Sequence, residues 1–291
     1  MASLQDIRRR IRSVKNTQQV TKAMKMISAV KLRKSQERLI AMRPYATKLH
    51  EMVGQVVASS KRDSMDASAI ASPLAQAFFS PREENNIHLV VIASDKGLCG
   101  GFNANLLKAA DAFMREHAGK VTVLDVVGRR TAEWAKKSGH TVSKEAVTLG
   151  PNDLADAARD IAERAASGYE SGQIDALYLV YNYFNSAVSQ TPKAVRAFPP
   201  METPEGGSTL HLLEPDPDTV LRELLPQFVE TEIFRTLLES SASEHAARMS
   251  AMDKATSNAS EMIDKLTLHM NKVRQAAITN QIIEVVSGAA S

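Results

Sequence analysis

Apolar residues recur at alternating steps of three and four along both ends of the chain. Neither Gly nor Pro occurs in residues 2–43 or 227–287. Spacing of this kind over such a length is typical of a coiled coil, so the pattern predicts two long terminal helices. The recurring positions, which we call the seam, are in the first helix Leu4, Ile7, Ile11, Val14, Gln18, Thr21, Lys25, Ser28, Leu32, Ser35, Leu39, Met42, Ala46, Leu49, Val53 and Val56, and in the last helix Leu238, Ala242, His245, Met249, Met252, Thr256, Ala259, Ile263, Leu266, Met270, Val273, Ala277 and Asn280.

The seam is not purely apolar, and two prolines interrupt the helical spans. Small or polar residues occupy the middle of the seam in both helices, where they lower stability but let two backbones approach closely. Pro44 predicts a kink or a short irregular turn in the first helix, and Pro226 predicts the same near the start of the last one. Asp218 is the expected N-cap of the last helix.

Continuous apolar runs mark the strands of the middle of the chain. The runs at 87–94, 121–128 and 175–185 predict strands that are buried on both faces, and 193–198 is the expected edge strand. Helical segments separate these runs, and one of them is expected to end at Gly139. The order β-α-β-α-β predicts a small, mainly parallel sheet.

Composition indicates a folded protein and argues against a membrane-spanning one. Hydrophobic residues make up 44% of the 291 residues and charged residues 24%, which are ordinary globular proportions. No apolar run approaches the ~18–20 residues of a membrane span, and the first residues lack the apolar stretch of a secretory signal. The single cysteine, Cys99, excludes an internal disulfide and a multi-cysteine zinc site.

The last helix is too long to lie inside a compact body of this size. A helix of 61 residues is ~90 Å long at ~1.5 Å per residue, whereas a compact chain of this length is roughly 50 Å across. We therefore expect the last helix to protrude. Its final apolar residues, Ile278, Ile282, Ile283, Val285 and Val286, lie on more than one face, and a protruding apolar tip needs an external partner.

The net charge of +3 conceals a basic N-terminal segment. Residues 1–58 carry 13 Lys and Arg against 3 Asp and Glu, whereas residues 217–291 carry 7 against 10. The basic stretch from Arg8 to Lys15 can bind a phosphate backbone or a lipid surface, so a basic coiled-coil nucleic-acid-binding protein is one alternative function. Aromatic residues for base stacking are not interleaved with it. Pairing with the acidic last helix is the simplest use of this charge.

The loop Gly97-Leu98-Cys99-Gly100-Gly101 lies between a predicted strand and a helix, where a phosphate-binding loop would lie. It matches neither G-x-G-x-x-G nor the G-K-[ST] of a Walker loop, so a tight turn on a scaffold is the favoured interpretation. An α/β enzyme that uses this loop is the second alternative function. Cys99 is expected to be a small buried residue rather than a nucleophile. The seven histidines lack metal-ligand spacing, so we expect no metal site.

Five segments carry the motifs of a known family. They are IRRRIRSVKNTQQVTKAMKMISAVKLRKSQ (7–36), SDKGLCGGFNANL (94–106), LLEPD (212–216), EHAARMSAMDKATSNA (244–259) and NKVRQAAITNQIIEVVSGA (271–289). With these segments the chain resembles the γ subunit of F-type ATP synthases over essentially its whole length, and the first and last segments are highly specific.

The resemblance implies an α/β fold plus a long antiparallel coiled coil. The N- and C-terminal helices are expected to form a left-handed coiled coil with a central Rossmann-like α/β domain at its base. The implied domains are the N-terminal coiled-coil helix at 1–60, the Rossmann-like domain at 61–210 and the C-terminal coiled-coil helix at 211–291.

The resemblance also implies a non-catalytic rotor shaft. The coiled coil is expected inside a ring of three α and three β subunits (the α3β3 hexamer), one copy per complex, and the base is expected to join the ε subunit and the c ring. Proton flow turns the c ring and the shaft, which drives each β subunit through open, loose and tight states, and hydrolysis reverses the cycle. We expect no cofactor on this chain, since partner subunits bind Mg-ATP and ADP. We also expect no nucleic-acid partner, no membrane insertion, and a peripheral location on the cytoplasmic face of a bacterial inner membrane.

Six residues match positions of that family that contact partners or affect coupling. Arg274 and Gln275 match residues that hydrogen-bond a loop of the catalytic subunit, and Thr279 lies one turn further on the same side. Met24 and Arg248 match positions linked to coupling efficiency. Glu214 matches the foot region near the ε subunit and the c ring.

Overall fold

The computed structural model describes residues 4–62, 72–79, 81–200, 214 and 216–289. Helix α1 covers Leu4–Arg62 and helix α6 covers Pro217–Ala289. The two long terminal helices predicted from the sequence are therefore confirmed. In α1 every seam position is buried or half-buried, and in α6 the same is true from Leu238 to Val273.

The chain divides into two compact units, and each contains a part of both helices. The first unit comprises Met1–Val30 with Arg248–Ser291, and the second comprises Lys31–Ala247. In the first unit Gln18 Nε2 donates to Ser260 Oγ at 2.6 Å, and Lys25 Nζ lies 2.5 Å from Asp253 Oδ1. As the residue number rises along α1, the number of its partner falls along α6, so the two helices are antiparallel, as predicted.

Two local expectations about the helices need correction. Pro44 and Pro226 both lie inside continuous helices, so the short irregular turn offered for each is absent, whereas a kink at these residues stays a prediction. Both residues are exposed, so the carbonyl that loses its helical donor can be hydrated. The N-cap of α6 is Asp216 rather than Asp218: its two carboxylate oxygens accept from the backbone N–H and the hydroxyl of Thr219, at 2.9 and 2.8 Å. Pro217 follows at the first helical position, where a missing N–H is harmless.

Five strands form one sheet in the order β3-β2-β1-β4-β5. The strands are β1 (Ile87–Ile92), β2 (Val121–Val127), β3 (Lys144–Ala146), β4 (Ala176–Phe184) and β5 (Gln190–Phe198). All neighbouring pairs are parallel except β4 and β5, which confirms the mainly parallel sheet and its edge strand. The sequence did not predict β3, because its three residues include two charged ones and form no apolar run.

Helices cover both faces of this sheet. They are α2 (Pro73–Gln76), α3 (Phe102–Glu116), α4 (Arg129–Ser138) and α5 (Leu154–Glu170). On one face α3 and α4 pack on the alternate β1 residues Leu89 and Val91. On the other face Val90 belongs to a core that α5 shares with Val53 of α1 and Phe228 of α6. The sheet therefore has the Rossmann-like arrangement expected, and the second unit anchors both terminal helices to it.

The domain boundaries at 60/61 and 210/211 stay predictions. Helix α1 continues to Arg62, and residues 201–213, around the second boundary, lie outside the described residues.

Candidate partner-binding surfaces

The C-terminal end of α6 runs past the first described residue of α1. Since Gln18 pairs with Ser260 and Lys25 with Asp253, the same register places Leu4 level with about position 274. Every described side chain beyond that point is exposed. Ile278, Ile282, Ile283 and Val285 have exposed fractions of 49%, 58%, 56% and 72%. We call residues 274–289 the lone end of α6; the side chain of Val286 lies outside the described residues.

Three of the predicted site residues lie together at the lone end. Arg274, Gln275 and Thr279 are all exposed. The Thr279 hydroxyl donates to the carbonyl of Gln275 at 3.0 Å, which places these two residues one helical turn apart on the same side. Because its hydroxyl is satisfied within the helix, Thr279 can offer its methyl group and a lone pair to a partner. The guanidinium and amide groups of its two neighbours face solvent.

The other three predicted site residues lie elsewhere. Met24 on α1 is half-buried, and Arg248 on α6 is only 8% exposed. With Lys25 level with Asp253, Met24 lies about six residues from Arg248 along the paired helices, or ~9 Å at the rise of a helix. Glu214 is exposed and lies two residues before the N-cap of α6, in the second unit. Within the first unit, the predicted site residues therefore fall into two groups, the lone-end residues and the pair Met24 and Arg248.

A second exposed apolar surface was missed in the sequence. Val20, Met26, Ile27 and Val30 on α1 are 57%, 58%, 57% and 58% exposed, and we call them the outer stripe. The signal was available: Val20 and Ile27 are seven residues apart and each precedes a seam residue by one position. The outer stripe went unrecognised because the seam alone accounts for the apolar periodicity of α1.

The basic N-terminal residues do not pair with α6 as expected. Arg8, Arg9, Arg10, Arg12 and Lys15 are all exposed, and within the described parts of the chain none of them is in an ion pair. The expected use of basic charge against the acidic last helix is met by Lys25 with Asp253. The outer side of α1 therefore presents positive charge near its N-terminus and apolar side chains further along.

The chain's own groups hold the loop at Gly97–Gly101. Leu98 and Gly100 have positive φ angles of 61° and 59°, so the loop is a tight turn. Cys99 is only 2% exposed, and its sulfur accepts from Asn103 Nδ2 at 3.2 Å. The expectation of a small buried cysteine is confirmed. Next to the turn, Asp95 Oδ1 accepts from the backbone N–H groups of Arg129 and Thr148 at 2.9 and 3.0 Å, which joins three loops at the carboxyl edge of the sheet.

A buried carboxylate, Asp125, and a half-buried one, Glu232, are held ionised in the second unit by hydrogen bonds from His and Arg side chains. Burial alone raises the pKa of Asp125, but hydrogen bonds from His88 at 2.6 Å and from Arg164 outweigh it and bring the pKa below its ordinary value. Burial likewise opposes ionisation of Glu232, yet its bonds to His50 and Arg235 lower the pKa of Glu232 to about 2. Both clusters join helices to helices or to the sheet, so their evident role is structural.

Within the described ranges, no helix is both long and apolar enough to cross a membrane. In the same part of the chain, no three His, Cys, Asp or Glu side chains are grouped as metal ligands would be.

Two long antiparallel helices, anchored on an α/β sheet and carrying exposed apolar surfaces, define a coiled-coil subunit that works through partner chains. A family model described as ATP synthase matches residues 3–291. The ATP synthase gamma chain of Solibacter usitatus is 53% identical over 292 residues, covering 100% of this chain and 99% of its own. That of Pelotomaculum thermopropionicum is 42% identical over 294 residues with the same coverage. The chain belongs to the ATP synthase γ-chain family, the non-catalytic central-stalk subunit of the enzyme.

Solved structures agree with the fold. A chain of the central stalk and c-ring structure of Tetrahymena thermophila mitochondrial ATP synthase has a TM-score of 0.60 at 24% identity, covering 81% of this chain and 99% of that one. A chain in the Euglena gracilis mitochondrial ATP synthase structure with F1 and the c ring has a TM-score of 0.63 at 15% identity, covering 99% and 93%. The fold class of terminal helices plus a central, mainly parallel sheet is thus confirmed.

Proposed function

We propose that this chain is the rotor shaft of a proton-translocating ATP synthase and that its lone end turns inside an α3β3 hexamer. The observation that carries the proposal is the row of exposed Ile and Val side chains from Ile278 to Val285. Apolar side chains at these exposures favour an enclosing apolar partner. A smooth apolar contact also lets the shaft turn, because such contacts are non-directional.

Coupling needs differences between faces of the shaft rather than tight binding. Three chemically identical β subunits surround one shaft, and a ligand shifts a conformational equilibrium only by its difference in affinity for the two states. Arg274 and Gln275 supply directional hydrogen bonds on one side of an otherwise apolar end. Because each β subunit meets this side in turn, each is driven through its states in turn.

The outer stripe and the residues of the paired helices act further along the shaft. Val20, Ile27 and Val30 are exposed in the chain, and we assign them to contact with the hexamer. Met24 lies between Val20 and Ile27 on α1, and Arg248 is buried on α6, so changes at either residue alter the shaft that the hexamer contacts. These assignments extend the coupling roles that the motifs imply.

In the second unit, we assign Glu214 to the contact with the ε subunit and the c ring. Its carboxylate is exposed immediately before α6, where it can accept hydrogen bonds from a partner. One copy of the chain per complex follows from the single axis of a ring. A peripheral location on the cytoplasmic face of the bacterial inner membrane follows from attachment to a c ring.

Reconstitution tests this function against both alternatives. The chain mixed with α and β subunits should co-purify at one copy per three β subunits and support ATP-driven rotation of a bead attached to it. The isolated chain should bind neither ATP nor DNA at 150 mM salt, since phosphate-backbone binding weakens steeply with salt. Tight ATP binding by the isolated chain would instead support an enzyme, and a salt-sensitive complex with DNA or RNA would support a nucleic-acid binder.

A further inference from the structure

Three polar pairs join the helices consecutively in the first unit. Gln18 Nε2 donates to Ser260 Oγ at 2.6 Å, and Lys25 Nζ contacts Asp253 Oδ1 at 2.5 Å. Between them the hydroxyl oxygens of Thr21 and Thr256 are 2.8 Å apart. We call these three pairs the polar rungs. They fill the stretch of the α1 seam between Val14 and Ser28, where a coiled coil would normally place apolar residues.

The central rung joins two hydroxyl groups, each of which also lies near a carbonyl of its own helix. Thr256 Oγ1 is 2.7 Å from the carbonyl of Met252 and Thr21 Oγ1 is 3.0 Å from that of Gln18, so one hydroxyl donates across the helix pair while the other donates to its own helix. Thr21 is only 8% exposed. The contact between the two hydroxyls forms at only one axial position of the helices, whereas an apolar side chain would pack equally well against several neighbours.

The two outer rungs favour one axial position of α1 against α6 more than they add to the stability of the helix pair. The side chains of Lys25 and Asp253 are 42% and 56% exposed, and an ion pair at such exposure contributes little net stability. A slip of α6 by one heptad, however, sets Thr21 against Met249 in one direction and against Ile263 in the other. In the second direction it also sets the Lys25 ammonium against the hydroxyl of Ser260 instead of a carboxylate.

We propose that the polar rungs fix the axial register of the two shaft helices, so that α1 and α6 turn as one body under load. A polar residue in a coiled-coil core is the established device for choosing one register at some loss of stability. A heptad slip moves one helix ~10 Å along the other, which would displace the lone end relative to the outer stripe. This second consequence, on coupling, rests on the proposed rotor function, whereas the register itself does not.

The test uses the full chain with the rungs replaced by apolar residues, Gln18→Leu, Thr21→Val, Lys25→Met, Asp253→Leu, Thr256→Val and Ser260→Ala. Spin labels at two exposed positions, Lys22→Cys and Lys254→Cys in a Cys99→Ser background, report the helix–helix distance by double electron–electron resonance. We expect a distance distribution that is broadened or shifted by up to ~10 Å, although the helices remain paired. A matched control, Thr17→Val with Ser257→Ala, changes exposed polar residues outside the rungs and should keep one narrow distribution.

Two further measurements complete the test. The charge-swapped chain Lys25→Asp with Asp253→Lys, with the other rungs intact, should retain the narrow distribution, because the swapped pair still forms only in register. In the assembled complex the apolar chain should pump fewer protons per ATP hydrolysed than the control. An unchanged narrow distribution in the apolar chain overturns the proposal, and a slipped register with unchanged pumping overturns its consequence for torque.

Discussion

His50 Nε2 on α1 lies 2.7 Å from Glu232 Oε1 on α6, and Arg235 Nη2 lies 2.8 Å from the other oxygen of the same carboxylate. The two long helices are thus joined by a half-buried ionic cluster close to the sheet. Glu239, one turn further along α6, shares Arg235 at 3.4 Å, but burial raises the pKa of Glu239 above its ordinary value. The pKa values of the two carboxylates are therefore shifted in opposite directions, that of Glu232 downward and that of Glu239 upward.

The low pKa of Glu232 predicts a specific acid sensitivity. Its folded-state pKa of about 2 lies below the ordinary 4.5, so its stabilisation is present above pH 4.5 and is lost as the pH falls towards 2. Glu232→Gln should lower the free energy of unfolding at pH 7 by on the order of 3 kcal/mol. Urea unfolding at several pH values should show this difference shrinking between pH 5 and pH 2.

A control separates this effect from the general acid response of the chain. Glu223→Gln changes an exposed carboxylate on the same helix and should leave the free energy of unfolding nearly unchanged across this range. A Glu232→Gln deficit that stays constant from pH 5 to pH 2 would contradict the assignment of the low pKa to Glu232.

Gly128, between β2 and α4, should tolerate no side chain. Its φ angle is +94°, and a Cβ there would lie 2.3 Å from the carbonyl oxygen of Ala93. Gly128→Ala should therefore reduce the free energy of unfolding by more than about 3 kcal/mol. Gly139 is the matched control, because its φ is +70° but its Cβ would meet nothing within 4 Å. Gly139→Ala should lose only about 1 kcal/mol, and thermal unfolding showing equal losses would refute the argument.

The sequence predicted the long helices, their pairing side and the strands because each rests on a repeating local signal. The seam of α1 is buried or half-buried throughout, and the continuous apolar runs became β1, β2 and β4. What it did not predict depends on tertiary surroundings. Pro44 is accommodated because it faces solvent, and β3 forms because Asp125, Val126 and Val127 of β2 offer it a parallel partner.

The candidate partner-binding surfaces likewise include residues that sequence motifs predicted and residues that only the structure revealed. Motifs pointed to Arg274, Gln275 and Thr279, and the exposed lone end is where such residues can reach a partner. The outer stripe was missed, since a second apolar face on a helix can be recognised only when the first is known to be covered. The basic charge of Arg8 to Lys15 was assigned to α6 by its sign alone, and sign does not fix which side of a helix a residue faces.

The outer stripe should matter to assembly but not to folding. Val20→Ser with Ile27→Ser changes two side chains that are each 57% exposed, so the melting temperature of the isolated chain should stay nearly constant. Its binding to the α3β3 hexamer should weaken, because the apolar area buried on assembly is reduced. Val53→Ser is the opposite control: Val53 is 0% exposed, and its change should lower stability by about 3 kcal/mol. Undiminished hexamer binding by the double variant would exclude the stripe as a contact.

The lone end should separate directional contacts from shared apolar ones. Arg274→Ala with Gln275→Ala removes the two exposed polar side chains at its start, and we expect less ATP-driven proton pumping per ATP hydrolysed in membrane vesicles. Deleting residues from Ser287 onward should be tolerated, because apolar contacts with an enclosing partner are spread over many side chains.

Lys272→Ala, which removes an exposed cation two residues before Arg274, controls for charge alone and should leave the number of protons pumped per ATP hydrolysed unchanged. Since all these side chains are exposed, the free energy of unfolding of each chain should stay within about 0.5 kcal/mol of the original. Equal pumping ratios in the double variant and the unmodified chain would mean that the apolar end transmits torque without these two side chains.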